Sequence, residues 1–261
     1  MSSPPRKNQN ARTIEAVETS CDIIDALQEL NGGGVTELAR HLDLSKAAVY
    51  SHLHTLRERD LVVKEDEHYR LSLRLLDYGR YVRSQVEIYD IVVSEVDRIA
   101  ERTGEVSSFM VEEDGRAVYL HRARGSNAVK TASHIGQRKI LHCTALGKAI
   151  LSQLDRTYVD EILDRHGMPQ YTEQTITDRD ELFAELDQIR EAGIAHDEEE
   201  ILKGMYCIAA PVTNANDEVL GAVSATVPIS RVHDEGVMED LIDNIVHASN
   251  VIEVHVNVSD L

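Results

Sequence analysis

The 261-residue chain lacks most of the features that would commit it to a membrane, an oxidising compartment or a catalytic chemistry. It has no apolar run of transmembrane length, and its start, Met1-Ser2-Ser3-Pro4-Pro5-Arg6-Lys7, has no hydrophobic region to act as a signal peptide. A soluble cytoplasmic protein without a membrane partner is expected. Cysteine is scarce: Cys21, Cys143 and Cys207 lie far apart, and an odd, small number fits reduced thiols, not a disulfide scaffold. No Gly-rich phosphate loop, nucleophile elbow or paired metal-binding motif is found. Cys143 directly follows His142, and adjacent residues rarely face each other, so they are not a catalytic dyad. His121, His134, His142, Cys143, His196, Asp197 and Cys207 never show the close paired spacing of a structural zinc site. The expectation is a protein that is not an enzyme and has no cofactor or metal.

Lysine is also scarce relative to arginine, while both acids are abundant and the net charge is −19. Such a composition keeps a protein hydrated in concentrated salt and points to a halophilic source. The acidity is uneven. Residues 1–78 carry ten Lys or Arg against thirteen Asp or Glu, and residues 79–261 carry seventeen against thirty-three. A locally basic surface in the first part can therefore still meet an anionic partner, the more so where salt screens the acidic field to a few ångströms.

What is present is organised around Val35–Leu73. Val35, Leu38, Ala39 and Leu42 recur at helical spacing, with Thr36 placed to cap a short helix running to about His41. Asp43-Leu44 makes a turn, and Ser45 is a second N-cap. Ala48, Val49, Leu53 and Leu56 then form the apolar stripe of a helix reaching about Arg59. Its other face carries Lys46, Ala47, Tyr50, Ser51, His54 and Arg57. Cations suit phosphate or guanine, hydroxyls suit phosphate oxygens, and a small Ala suits a thymine methyl. Leu61-Val62-Val63 and Tyr69-Arg70-Leu71 pair around a polar tip, Lys64 to His68, with Arg70 as a wing contact. Helix, turn, helix, hairpin in about forty residues is the order of a winged helix-turn-helix that sets its second helix into the major groove of duplex DNA. Two ordinary amphipathic helices and a hairpin with a solvated polar face are the plain alternative.

Around this head, residues 1–12 read as a disordered arm; Arg6, Lys7 and Arg12 suit an arm that touches DNA, but a frayed terminus is the plainer reading. Ile14, Val17, Cys21, Ile24, Leu27, Gln28 and Leu30 trace a scaffold helix ending at Gly32-Gly33-Gly34. The head spans 13–73. Residues 74–103 read as a linker helix and an entry helix, broken near Ser84-Gln85, and residues 104–261 as a second domain. There, Val106–Val111 and Ala117–Leu120 form a hairpin around Glu113-Asp114-Gly115. Further strands are expected at Val129–Ile135, Ile208–Thr213 and Val219–Val227, the last two joined by a turn at Asn214–Asp217. Helices are expected at Ala145–Leu154, Thr157–His166, Arg179–Ala192, where Asp178 and Glu181 form a capping box, and His233–His255. Hairpin-connected strands interleaved with helices make this an α+β domain with an antiparallel sheet.

Two stretches of that domain carry a resemblance. Leu141-His142-Cys143-Thr144-Ala145-Leu146-Gly147-Lys148-Ala149-Ile150-Leu151 resembles the strand-to-helix segment of the IclR family of transcription regulators. Gly193-Ile194-Ala195-His196-Asp197-Glu198-Glu199-Glu200, followed by Gly204–Val212, is similar to that family's signature. The pattern is a glycine, an acid four residues on, a glutamate three after that, and a small residue seven further before an apolar strand; Thr213 stands where an aromatic or His is usual. The resemblance implies a winged helix joined by a linker helix to a GAF-like effector-binding domain. It also implies a homodimer or homotetramer on palindromic operators, with affinity modulated by a small organic effector such as a carboxylate or catabolic intermediate. Asp197, Glu200 and Cys207 match the signature positions and so line or brace the pocket. Thr144 can cap a helix whose first N–H groups, at Ala145, Leu146 and Gly147, would meet an anion without help from a lysine. Plain roles stand beside these: Thr144 only a cap, Cys207 only a small buried residue, Asp197 with Glu200 a solvated acidic turn. On sequence alone, a DNA-binding scaffold with a vestigial pocket and a metal-responsive regulator stay open.

Overall fold

The structure, a computed structural model, describes residues 12–259 and divides into two compact units, Met1–Val86 and Glu87–Leu261. Arg6 and Lys7 of the expected arm lie outside the described residues, and Arg12 is exposed.

In the first unit α1 (Glu15–Glu29), α2 (Val35–His41) and α3 (Lys46–Glu58) enclose one core with the hairpin β1 (Val62–Glu65) and β2 (His68–Leu71), followed by α4 (Arg74–Ser84). Ile23, Ala26, Leu27, Leu38, Val49, Leu53, Leu56, Val62 and Tyr69 are buried together there. Each large aliphatic side chain so buried contributes about 1.5–3 kcal/mol against the chain entropy of folding. The expected stripe on α1 holds only in its second half: Ile14, Val17 and Cys21 are exposed, and the buried positions are Ile23, Ala26 and Leu27. Asp43 takes φ +55° in the turn between α2 and α3. Backbone bonds from Gly33 N to Tyr69 O and from Tyr69 N to Gly33 O, both 2.9 Å, tie the loop before α2 to the wing. At Gly32, φ is +95° and a Cβ would stand 3.0 Å from Tyr69 O, so a side chain would be strained in its backbone and tight against that oxygen.

Two expectations for the head are corrected. Thr36 does not cap α2; Gly34 is the N-cap, no side chain caps it, and Thr36 lies inside the first turn. The wing turns at Asp66-Glu67 alone, because Lys64↔Tyr69 and Glu65↔His68 are paired strand residues.

The second unit is built on an antiparallel sheet of order β5-β4-β3-β8-β7-β6. Its strands are β3 (Val106–Glu113), β4 (Arg116–Arg124), β5 (Arg138–Lys139), β6 (Ala195–Glu198), β7 (Met205–Thr213) and β8 (Val219–Pro228). On one face lie α5 (Tyr89–Thr103) and α10 (Val237–Ser259), the latter preceded by the short α9 (Ile229–Val232). On the other, α6 (Ala145–Gln153), α7 (Arg156–His166) and α8 (Arg179–Ala192) bury Ile150, Leu151, Ile162, Leu182 and Leu186 against Met110, Ala117, Ala209 and Ala222 of the sheet. Three layers result, and successive residues of each central strand serve opposite layers. On β8, Ala222, Ser224 and Thr226 point toward α6, so Val223, Ala225 and Val227 point toward α5 and α10.

The segment Val129–Ile135 is not a strand. Its carbonyls have a different set of donors: Arg122 Nη1 reaches Ser133 O and Arg124 Nη2 reaches Thr131 O, each at 2.7 Å. Guanidinium groups therefore hold backbone that a neighbouring strand would otherwise pair, and only Arg138-Lys139 joins the sheet. Conversely β6 was not anticipated, since its Ala-His-Asp-Glu pattern has no apolar run.

Candidate functional site

In the head, Ser45 accepts from Ala48 N at 3.1 Å and starts α3. With Val49, Leu53 and Leu56 turned inward, helical period places Lys46, Ala47, Tyr50, Ser51, His54 and Arg57 outward, and all six are exposed. Tyr50 and His54 stack, ring centroids 6.5 Å apart and planes within 4°. Lys46 and Arg57 form no ion pair among the described residues, so both charges are available to an anion. The wing differs. Arg70 is bound by Glu65 and Lys64 by Glu67, so its cations are already neutralised by wing carboxylates. Of the two elements, α3 and not the wing carries cations without a carboxylate partner among the described residues.

In the second unit a cavity of about 340 Å³ lies between the sheet and the first turn of α6. Thr144, Ala145, Leu146, Asp197 and Cys207 line it together. Gly147 and Glu200 do not. The Gly147 N–H is taken by Thr144 Oγ1 at 3.0 Å, and its α-carbon is pressed on Leu141, where a Cβ would stand 2.1 Å from the carbonyl oxygen. Glu200 faces away from the cavity onto Lys148, which is bound by both Glu200 and Glu185. Lys148 is 1% exposed and Glu200 6%. A solvated acidic turn is therefore ruled out: Asp197, 3% exposed, accepts from Glu200 N at 2.8 Å and fixes the β6–β7 connection against α6. Thr213 is away from the cavity, with its N–H and hydroxyl on Glu253 of α10.

Sequence reading missed most of the sheet wall: Ser108 of β3, Tyr119 and Arg122 of β4, Ser224 and Thr226 of β8. The signal was available, because Ser224 and Thr226 interrupt an apolar strand on one face only. It missed Lys148 as well, although a single lysine in an otherwise apolar helix announces a buried partner.

Electrostatics define what this cavity can do. Burial pushes Asp197 up to about 6 despite backbone N–H bonds from Glu200 and Ile201 and the nearby Lys148. Burial also outweighs the pull of Lys148 on Glu200, whose pKa rises to about 7. Lys148 itself would be driven toward the neutral amine by burial, but Glu200 and Glu185 hold its pKa above the ordinary lysine value. Burial raises the Cys207 thiol well above its usual range, and its Sγ lies 2.9 Å from Thr226 Oγ1. Cys143 rises to about 12 for the same reason. A thiolate is the nucleophile of cysteine chemistry, so neither cysteine is armed. The cavity lining presents neutral donors, one carboxylate (Asp197), one guanidinium (Arg122) and the two ammonium groups of Lys130 and Lys139, and no armed nucleophile. Among the described residues no group of three or more His, Cys, Asp or Glu side chains is arranged for a metal ion, and no helix is long and apolar enough to cross a membrane.

Comparison with known proteins matches both units. Residues 80–254 match the family described as bacterial transcriptional regulator IclR C-terminal, and residues 16–66 match the IclR helix-turn-helix domain. The chain belongs to the IclR family. It is thus a DNA-binding transcription regulator of that family, whose members regulate transcription and are not enzymes. A probable HTH-type transcriptional regulator ArcR of Halobacterium salinarum is 30% identical over 251 residues, 95% of each chain. The crystal structure of the Thermotoga maritima IclR superposes with a TM-score of 0.75 at 26% identity, covering 92% of this chain and 100% of that one. An IclR homolog of Microbacterium hydrocarbonoxydans, solved in complex with 4-hydroxybenzoate, shares the fold at a TM-score of 0.76 and 18% identity, covering 90% and 98%.

Proposed function

We propose that this IclR-family chain is an effector-responsive regulator whose α3 face reads a double-stranded operator and whose second unit holds a small organic molecule. The observation that carries the reading is the cavity of about 340 Å³, walled by buried polar side chains, in a chain whose other unit exposes the unpaired cations of α3. Ligand cavities of this size combine apolar walls with a few placed polar groups. The complex of the Microbacterium homolog with 4-hydroxybenzoate supports a small carboxylate or catabolic intermediate as the class of effector.

In this reading residues 13–73 are the head, 74–103 the linker and entry helices, and 104–261 the effector domain. Lys46, Arg57 and Ser45 contact phosphates or base edges; Ala47, Tyr50, Ser51 and His54 supply sequence preference; Thr36 and Arg70 border the duplex. Thr144, Ala145, Leu146, Asp197 and Cys207 contact the effector, while Gly147 and Glu200 brace it. The protein acts in the cytoplasm as a homodimer or homotetramer. Exposed apolar side chains on α1 and around α4, including Ile14, Val17, Leu76 and Tyr81, support a self-association surface. The similarity to the Halobacterium chain, with the net charge of −19, supports a halophilic source.

Effector binding shifts the population of operator-competent states, so it must discriminate between them. The test is genome-wide occupancy in the host for the wild type and a Lys46→Ala, Arg57→Ala variant. Operator affinity is then measured with and without the effector nominated by neighbouring genes. Sharp peaks lost in the variant, and an affinity that moves with effector, are expected. Occupancy indifferent to the double substitution refutes the docking, and operator affinity indifferent to effector refutes the coupling.

A further inference from the structure

The effector cavity has two chemically opposite poles, and together they define its ligand more narrowly. We propose that the effector is a small monocarboxylate that also bears a hydroxyl, its carboxylate on Arg122 and its hydroxyl donating to Asp197. This deepens the reading of the cavity as an effector site and rests on it.

Arg122 projects from β4 into the cavity, half-buried. A guanidinium has five N–H donors. One goes to Ser108 Oγ at 3.3 Å, one to the Ser133 carbonyl at 2.7 Å and one to Thr131 Oγ1. Five less three leaves two. All three acceptors are neutral, and Arg122 forms no ion pair among the described residues. The Tyr119 ring adds only a cation–π contact, 5.6 Å from the guanidinium carbon to the centroid. A partly buried cation with no counter-ion and spare donors is complementary to a carboxylate, which forms short charge-assisted bonds with it.

The other anion sites in the lining are Lys130, Lys139 and the start of α6; an ammonium lacks the planar fork that pairs both oxygens of a carboxylate, and the helix start is weaker still. Thr144 already takes the Gly147 N–H through its hydroxyl and the Lys148 N–H through its carbonyl. The helix terminus carries about half a charge, against the full charge of the guanidinium.

At the other pole Asp197 repels an acid and invites a donor. Its carboxylate can only accept hydrogen bonds while ionised, and it has acceptor positions beyond the one used by Glu200 N. A ligand hydroxyl fits that need, whereas a second carboxylate does not. Leu146, Ile201, Leu202 and Met205 line the same cavity and offer apolar contact to a carbon skeleton. A single acid that also carries a hydroxyl satisfies both groups.

The test is calorimetric titration of the full-length protein with four probes: gluconate, 4-hydroxybenzoate, benzoate and the methyl ester of 4-hydroxybenzoate. The first two present aliphatic and aromatic skeletons, the third lacks the hydroxyl and the fourth lacks the charge. At least one hydroxy acid should bind the wild type. Arg122→Gln should weaken that acid at least about tenfold while leaving the ester within about twofold. Arg122→Lys, which keeps the charge and loses the fork, should fall between. Asp197→Asn should weaken the hydroxy acid and leave benzoate unchanged. The ester serves as the folding control within each variant. Equal acid affinity in Arg122→Gln and wild type overturns the assignment of the carboxylate yet leaves an effector cavity in place. Failure of both hydroxy acids to bind the wild type overturns the proposed ligand class. An acid that binds as described but leaves operator affinity unmoved overturns the effector reading, and this inference with it.

Discussion

Replacing Lys148 with methionine isolates the buried charge cluster that braces the cavity. The substitution leaves the volume of the side chain nearly unchanged and removes the one cation between Glu185 and Glu200. Removing one partner of a buried ion pair costs about 3–5 kcal/mol, because the remaining charge stays out of water without compensation. Glu185 is 29% exposed and can turn partly to solvent, so the lower part of that range, about 3–4 kcal/mol, is expected. For a unit of this size each kcal/mol moves the melting temperature by about 2–4 °C, so the second unit should melt about 6–16 °C lower. The cost must also depend on pH. Glu200 has a folded pKa of about 7 against an ordinary 4.5, so the folded state binds more protons between those values. Stability from this group is present below about 4.5 and is lost as pH rises through 7. Loss of Lys148 raises the Glu200 pKa further, so the penalty at pH 8 exceeds that at pH 5, where protonation relieves the unpaired carboxyls. The chain has no tryptophan, so differential scanning calorimetry is the assay. A second substitution, Glu200→Gln, should restore part of the loss at pH 8. A shift under about 2 °C at pH 8, or equal shifts at pH 5 and pH 8, would refute the assignment of a buried charged cluster.

Three further outcomes follow from other parts of the molecule. Ser45→Ala should destabilise the head by about 1 kcal/mol, whereas Thr36→Ala should cost it no cap, since Gly34 holds that position; comparable melting shifts for both would contradict the capping geometry. Gly147→Ala drives a methyl to 2.1 Å from the Leu141 carbonyl oxygen, so α6 must move; a loss of about 1–3 kcal/mol in the second unit is expected, and an unchanged melting temperature would show that the contact is not as close as described. Titration of native protein with a thiol reagent at pH 8 should give one fast equivalent from exposed Cys21, a slower one from Cys207, which lines the cavity with its thiol pKa raised by burial, and none from buried Cys143 until unfolding; fast loss of all three thiols would refute the burial of Cys143.

Much of the head was legible because its signals are local. Ser45 followed by apolar residues at helical spacing specifies where α3 begins and which face it buries, and the exposed set Lys46, Ala47, Tyr50, Ser51, His54 and Arg57 follows from the period alone. The Thr36 cap failed because the preceding glycine already carries the extended backbone an N-cap needs, a choice made by the pairing of Gly33 with Tyr69, far along the chain. Arg70 and Lys64 look like free wing cations in sequence, and only the two-residue turn at Asp66-Glu67 shows how close their carboxylate partners come.

The chain alone specifies the elements whose periodicity and caps are written locally. These are the helix-turn-helix, the hairpin at Asp114-Gly115, α6 capped by Thr144 and α8 capped by Asp178. It also determined, through two family-like stretches, that Thr144, Asp197 and Cys207 belong to one region. Tertiary structure decided what surrounds them. The sheet order β5-β4-β3-β8-β7-β6 sets strands far apart in the chain side by side, so Ser108, Arg122, Asp197, Cys207 and Thr226 come to one wall. It turned Val129–Ile135 from an expected strand into a loop held by Arg122 and Arg124, and gave Lys148 its two carboxylates. The physical reason is the same in each case: a periodic pattern states which face of an element is apolar, but which faces meet is set by packing between segments distant in sequence.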